Sequence, residues 1–191
     1  MPNTPASAEV IRQRLRRACA VLDLAELSSQ PYAMSQALAE VARCHRELAA
    51  EASAENYFVS AVRWARLCGS VDHVADLLCE AADAAVRLAA ANTRAPEAGA
   101  SPGQTAGFGG RAGHSAHERA RDRAFEASQL AGQLSDPSCE ARLLMRVGEL
   151  LERCGDHADA LQMQLRALDR MGGVAPRDAS RLSGFGRLAD A

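Results

Sequence analysis

The stretch Cys139-Glu140-Ala141-Arg142-Leu143-Leu144-Met145-Arg146-Val147-Gly148-Glu149-Leu150-Leu151-Glu152-Arg153-Cys154-Gly155-Asp156-His157-Ala158-Asp159-Ala160-Leu161 decides how this chain is read. Leu144, Val147 and Leu151 recur at steps of three and four, the spacing that puts side chains on one face of an α-helix. Asp136-Pro137-Ser138 supplies a start signal just upstream, because Asp caps the first free backbone N–H groups and Pro fits the first turn. Gly155-Asp156 interrupts the pattern, which resumes at His157 and runs to Met171 before Gly172-Gly173 stops it. The spacing predicts two helices, to about Cys154 and over 157–171, folded back on one another.

The rest of the composition agrees. Of 191 residues, 48% are hydrophobic, 24% charged and only 4% aromatic, with a net charge of −2. All 22 basic residues are Arg, and about a fifth of the chain is Ala. Both traits are those of a GC-rich bacterial coding sequence, and both favour helix, since Ala and Arg rank high in helix propensity. Residues that build sheets are scarce. An all-α fold follows. Near-neutral charge speaks against a dedicated nucleic-acid binder. No run approaches the ~20 apolar residues of a membrane span, and Met1-Pro2-Asn3-Thr4-Pro5 lacks the features of a secretory signal, so a cytoplasmic protein is expected.

Further helices are expected at about 8–27, from Pro31 to about Ala52, at 55–68, 71–91 and 117–134, giving about seven in all. Between Asn92 and Ser115 six of the 14 glycines occur, with Pro96 and Pro102. Such a segment loses much backbone entropy on ordering and buries little. The expected organisation is therefore N-terminal helices with a degenerate repeat over 1–91, a flexible linker over 92–116, a helical unit over 117–173, and a tail over 174–191.

Internal repetition sharpens this. Cys68-Gly69 and Cys154-Gly155 each break an apolar run, 86 residues apart, and that offset pairs Glu40 with Glu126, Leu48 with Leu134, Ala81 with Ala167 and Asp83 with Asp169. With these residues in place, 139–172 resembles the tetratricopeptide repeat family. Gly148 and Ala160 match that family's small facing residues, Leu144, Val147 and Leu151 its large first-helix positions, Gly155-Asp156 its turn and Ala167 its late small position. A weaker unit over 54–86 keeps Gly69 and Ala81 but has Val62 and Val74 where small residues are expected. The length is similar to repeats in bacterial signalling regulators, including regions that precede diguanylate cyclase domains. The resemblance implies a right-handed solenoid of antiparallel helix hairpins that binds a protein or peptide in a groove lined by its first helices. On the two units that groove falls to Arg142, Met145, Arg146 and Glu149, and to Ser60 and Arg63. A competing reading is a generic helical bundle, in which these Arg and Glu residues merely pair along their own helices.

Catalytic and metal chemistry find little support in the sequence. A Walker loop needs Lys, which is absent, and no Gly-x-Ser-x-Gly elbow occurs. Cys154 and His157, Cys68 and His73, and Cys44 and His45 are close in sequence without the paired spacing of a zinc site. His114 and His117 are two histidines without further ligands. Arg12, Arg14, Arg16 and Arg17 lie on the wet side of an amphipathic helix. The expectation is a non-enzymatic protein-binding adaptor or regulator without cofactor or metal, which does not bind nucleic acid or membrane. Because two repeats leave their ends bare, capping by the flanking helices or self-association as a homo-oligomer is expected. Two alternatives stay open: a regulatory region of a signalling protein without its output domain, and a metal- or thiol-responsive regulator using Cys and His.

Overall fold

The computed structural model describes residues 5–94 and 115–172. They form seven helices, α1 (Pro5–Ser28), α2 (Pro31–Glu47), α3 (Glu51–Cys68), α4 (Val71–Arg94), α5 (Ala116–Ala131), α6 (Pro137–Arg153) and α7 (His157–Gly172), with no strand among the described residues. None of these helices is long and apolar enough to cross a membrane. Of the expected linker, residues 92–94 belong to α4, Ser115 caps α5 and Ala116 opens it; residues 95–114, His114 among them, and the tail 174–191 lie outside the described residues.

Local chemistry sets the boundaries. Pro31 and Pro137 occupy the first turns of α2 and α6, and the Asp136 carboxylate accepts a hydrogen bond from Ser138 N at 3.0 Å. Ser115 and Glu118 make a reciprocal capping box that starts α5. The helix expected to run from Pro31 to Ala52 instead ends at Glu47, because Ala49 turns left-handed at φ 57°. Ala50 N then donates to His45 O at 2.9 Å and Ala49 N to Arg46 O at 3.1 Å, closing a Schellman turn. Gly155, at φ 88°, closes α6 in the same way through Asp156 N to Leu151 O and Gly155 N to Glu152 O, both 3.0 Å.

Each helix packs against the next in sequence, and α4 also packs against α6. Side-chain pairs join helices two apart. Arg43 and Arg46 of α2 reach Glu80 of α4, and Arg146 and Arg153 of α6 reach Asp76 and Asp83 of α4. On the other side Arg119 and Arg123 of α5 reach Glu55 of α3, and Arg121 lies 3.3 Å from Asp156 at the start of α7. The helices thus form two layers, α2/α4/α6 and α3/α5/α7, with α1 against α2. One apolar core runs through the whole stack, from Ala25 to Ala167, and the segments before and after the 95–114 interval share it.

This alternation does not follow the 86-residue spacing of the glycine turns. An offset of 86 residues matches α3 with α6 and α4 with α7, and so equates helices of opposite layers. Glycine turns mislead here because a left-handed residue suits any helix end, whichever layer the helix occupies. An offset of 106 positions instead pairs helices of the same layer, α2 with α6 and α3 with α7. Pro31 then matches Pro137, Leu38 Leu144, Val41 Val147, Ala42 Gly148, Ala49 Gly155, Ala54 Ala160 and Ala61 Ala167. Every core residue in this set is buried on both sides of the match. In the middle hairpin, Ala82, Ala120 and Ala127 are likewise inaccessible.

Candidate functional site

The six small residues expected to pack the repeats do two different jobs. An ideal Cβ on Gly148 would stand 3.1 Å from Ala160 O and 3.0 Å from Gln164 Cγ, so α6 and α7 approach closely at Gly148 and Ala160. Ala160 and Ala167 are buried in that same seam. An ideal Cβ on Gly69 (φ 71°) or on Gly155 would meet nothing within 4 Å, so these two serve only to turn the chain. Ala81 is fully buried, and its carbonyl accepts a hydrogen bond from Arg123 Nη1 at 3.0 Å. That bond ties α5 to α4 next to the Glu55 pair.

The groove residues fall in two places. Arg142 and Arg146, one turn apart on α6, line an open cleft of about 430 Å³ with Asp72, Ala75 and Asp76 of α4, Leu134, Cys139 and Leu143. Its floor is apolar and its rim carries both signs of charge. Arg142 is exposed and its Nη2 donates to Cys139 Sγ at 3.0 Å, while Cys139 in turn bonds Asp136 Oδ2 at 3.1 Å. Among the described residues no carboxylate pairs with Arg142. Its guanidinium is held further above its ordinary pKa by the Cys139 bond first and by Asp136 and Asp76 after it. Arg146 Nη1 lies 3.3 Å from the exposed Asp76 carboxylate, a solvated pair that holds its place loosely. Glu149 is exposed further along α6, whereas Met145 is half-buried against the core.

Arg63 and Ser60 of α3 lie elsewhere. Arg63 lines a smaller cleft of about 230 Å³ with Val59, Val62, Arg66, Arg123 and Glu126, between α3, α4 and α5. Ser60 Oγ is occupied by Asn56 O at 3.0 Å. The two groups are separate because α3 and α6 belong to different layers.

Sequence reasoning missed the buried ion pairs that join the helices within each layer. Glu55, only 5% exposed, accepts from Arg119 Nε at 2.8 Å and Nη2 at 2.9 Å, and from Arg123 Nη1 at 2.8 Å. Burial pushes its carboxyl pKa up, but the two guanidinium groups outweigh this and hold it below the ordinary value. Glu80 takes a two-pronged bond from Arg43, at 3.1 and 2.6 Å. The partners lie 37 and 64 residues apart, beyond any local pattern.

The Cys and His residues are spread out. His45 stacks on Tyr57 at 5.2 Å, His73 Nε2 lies 2.7 Å from Ser35 Oγ, and His157 is exposed. Cys68 Sγ bonds Trp64 O at 3.4 Å, and Cys44 is buried beside Val41. Burial pushes the Cys79 thiol up to about 12, far from a reactive thiolate. Among the described residues no group of three or more His, Cys, Asp or Glu could hold a metal ion.

No protein-family model matches the chain, and no curated relative does. Among solved structures it is similar to the DHF119 filament, at 20% identity and a TM-score of 0.43, covering 88% of this chain and 80% of that one. It is similar to the DHF58 filament at 22% identity and 0.41, covering 88% and 82%. BtubC (BKLC) from P. vanneervenii matches at 13% identity and 0.30, covering 97% and 82%.

Proposed function

We propose that this chain is a non-enzymatic, tetratricopeptide-like interaction module of the bacterial cytoplasm, an adaptor or regulator that binds another protein through the cleft between α4 and α6. The observation that carries this reading is the Arg142 guanidinium, open to solvent and without a carboxylate partner among the described residues, one turn from Arg146 above an apolar floor of Ala75, Leu134 and Leu143. Binding sites of this kind combine apolar lining with a few placed polar groups. A guanidinium offers two parallel donors that fit a carboxylate. The fitting ligand is a peptide segment with a carboxylate beside an apolar side chain, and Asp72 favours a basic residue further along it. Three hairpins with small residues at matching seams support the repeat character.

The test compares proteins cross-linked to the wild-type chain with those cross-linked to Arg142→Glu/Arg146→Glu, with helix content checked by circular dichroism. Loss of a discrete partner, whose cross-links in the wild type map to Asp72, Arg142 or their neighbours, supports the reading. Equal recovery by both proteins removes it.

A further inference from the structure

Among the described residues the stack ends in two exposed apolar faces. At one end α7 buries Ala160, Met163 and Ala167 and leaves Leu161, Leu165, Leu168 and Met171 each 57% exposed. Steps of four, three and three place these four along one side of the helix. At the other end α1 buries Ile11, Ala18 and Ala25 and leaves Val10, Val21, Leu24 and Leu27 between 54% and 83% exposed. Val21 and Leu24 continue with Ala25, Ala33 and Ala37 into a largely apolar groove of about 560 Å³ between α1 and α2, edged by Ser28, Gln36, Arg43 and a Glu40 that Arg14 and Arg43 already pair. Single exposed apolar side chains are ordinary, but stripes of four mark an interface. Interior helices are covered by the helices before and after them, whereas among the described residues α1 packs chiefly against α2 and α7 chiefly against α6. Repeat stacks need polar ends or a partner on them.

Charge selects the partner. Arg17 lies within the α1 stripe, on the same face as Val10, Val21 and Leu24, and has no ion-pair partner among the described residues. Asp169 borders Leu165 and Leu168 on α7 and is likewise without one. Matching either end with itself sets like charges across the contact, Arg17 against Arg17 or Asp169 against Asp169. Matching α7 of one molecule with α1 of the next sets opposite charges across it and covers both apolar faces with a single kind of contact. We infer that the occupant of each end is a second copy of this chain, joined head to tail, with the α7 stripe seated in the α1–α2 groove. Such a contact is heterologous, so assembly grows with concentration unless it closes into a ring. This inference stands on the end faces and does not rest on the α4–α6 cleft.

Sedimentation velocity of the full chain over a wide concentration range tests it. The wild type is expected to gain mass with concentration. Leu24→Arg blocks the α1 end and Leu165→Arg the α7 end; each variant alone is expected to be monomeric, with helix content unchanged because both side chains are exposed. Their equimolar mixture is expected to form a heterodimer, since one intact α1 face and one intact α7 face remain. Arg17→Asp and Asp169→Arg singly should weaken assembly, and the two together should restore it. A wild type that stays monomeric throughout overturns the inference and assigns the faces to residues 173–191 or to another protein. Dimers of Leu24→Arg that Leu165→Arg cannot form overturn it in favour of a symmetric α7–α7 contact, and a mixture that stays monomeric overturns it as well.

Discussion

Replacing Gly148 by Ala tests the seam between α6 and α7 most sharply, because two opposing terms of similar size meet there. In an open helix interior, Gly→Ala stabilises by about 1 kcal/mol. At Gly148 the new methyl would lie 3.1 Å from the Ala160 carbonyl oxygen and 3.0 Å from Gln164 Cγ. The Gln164 side chain is flexible and can yield, but the carbonyl belongs to a packed helix. Overpacking of this kind costs roughly 1–3 kcal/mol, so the net effect is a loss of about 0–2 kcal/mol. For a chain of this length that lowers Tm by at most about 8 °C. Gly148→Val, with two further methyls and a β-branch, should lose more than about 3 kcal/mol. Gly132, which ends α5 with nothing within 4 Å of an ideal Cβ, is the control. There Gly→Ala should gain about 0.4–1 kcal/mol. Urea unfolding followed by far-ultraviolet circular dichroism reads all three. Repeating Gly148→Ala in a Gln164→Ala background removes the yielding contact and leaves the carbonyl, so part of the loss should remain. Stabilisation of Gly148→Ala equal to that of Gly132→Ala would refute a close α6–α7 approach.

Ala49 and Gly155 hold the same left-handed position in matching turns, so Ala49→Gly should stabilise by about 0.5–1 kcal/mol and Gly155→Ala should destabilise by about 1 kcal/mol in the same assay. Glu55 titrates lower in the folded chain than in the unfolded one, where 4.5 is its ordinary value. Its contribution is therefore complete above about pH 4.5 and is lost as pH falls through the folded value. Glu55→Gln should lower stability near pH 7 by about 2–3 kcal/mol and flatten the acid limb of a stability–pH curve; an acid limb unchanged from wild type counts against the pair. Asp136→Ala removes the α6 cap and should lower the urea midpoint of unfolding, whereas Asp136→Asn, which keeps a capping oxygen, should leave it nearly unchanged.

Much of the architecture is legible in the chain because it is written locally. Ala-rich composition, the Leu144/Val147/Leu151 periodicity and the Asp136-Pro137 start signal are short-range effects, and the structure has helices where they point. The Gly148–Ala160 seam was also readable, since only small residues permit so close an approach. The phase of the repeat was not. Ala49 occupies a left-handed turn without the usual glycine, whereas Gly69 advertises one at a turn of the opposite kind. Ala42 and Ala49 at the positions matching Gly148 and Gly155, with Pro31 matching Pro137, carry the 106-residue spacing in the sequence. The start of α5 carried a signal too, in the Ser115–Glu118 spacing of a capping box. Which arginines of α6 find a carboxylate among the described residues depends on positions 70 residues away on α4, and no periodicity reports that.

The central structural claim is that residues on either side of the 95–114 interval build one two-layered stack, and the Glu55–Arg123 pair joins them directly across 68 residues. A double-mutant cycle with Glu55→Gln and Arg123→Gln, read by urea unfolding near neutral pH, measures that link. The stack predicts a coupling of about 1–3 kcal/mol, the double variant losing less than the two single losses together. Strictly additive losses, with no coupling, would contradict it.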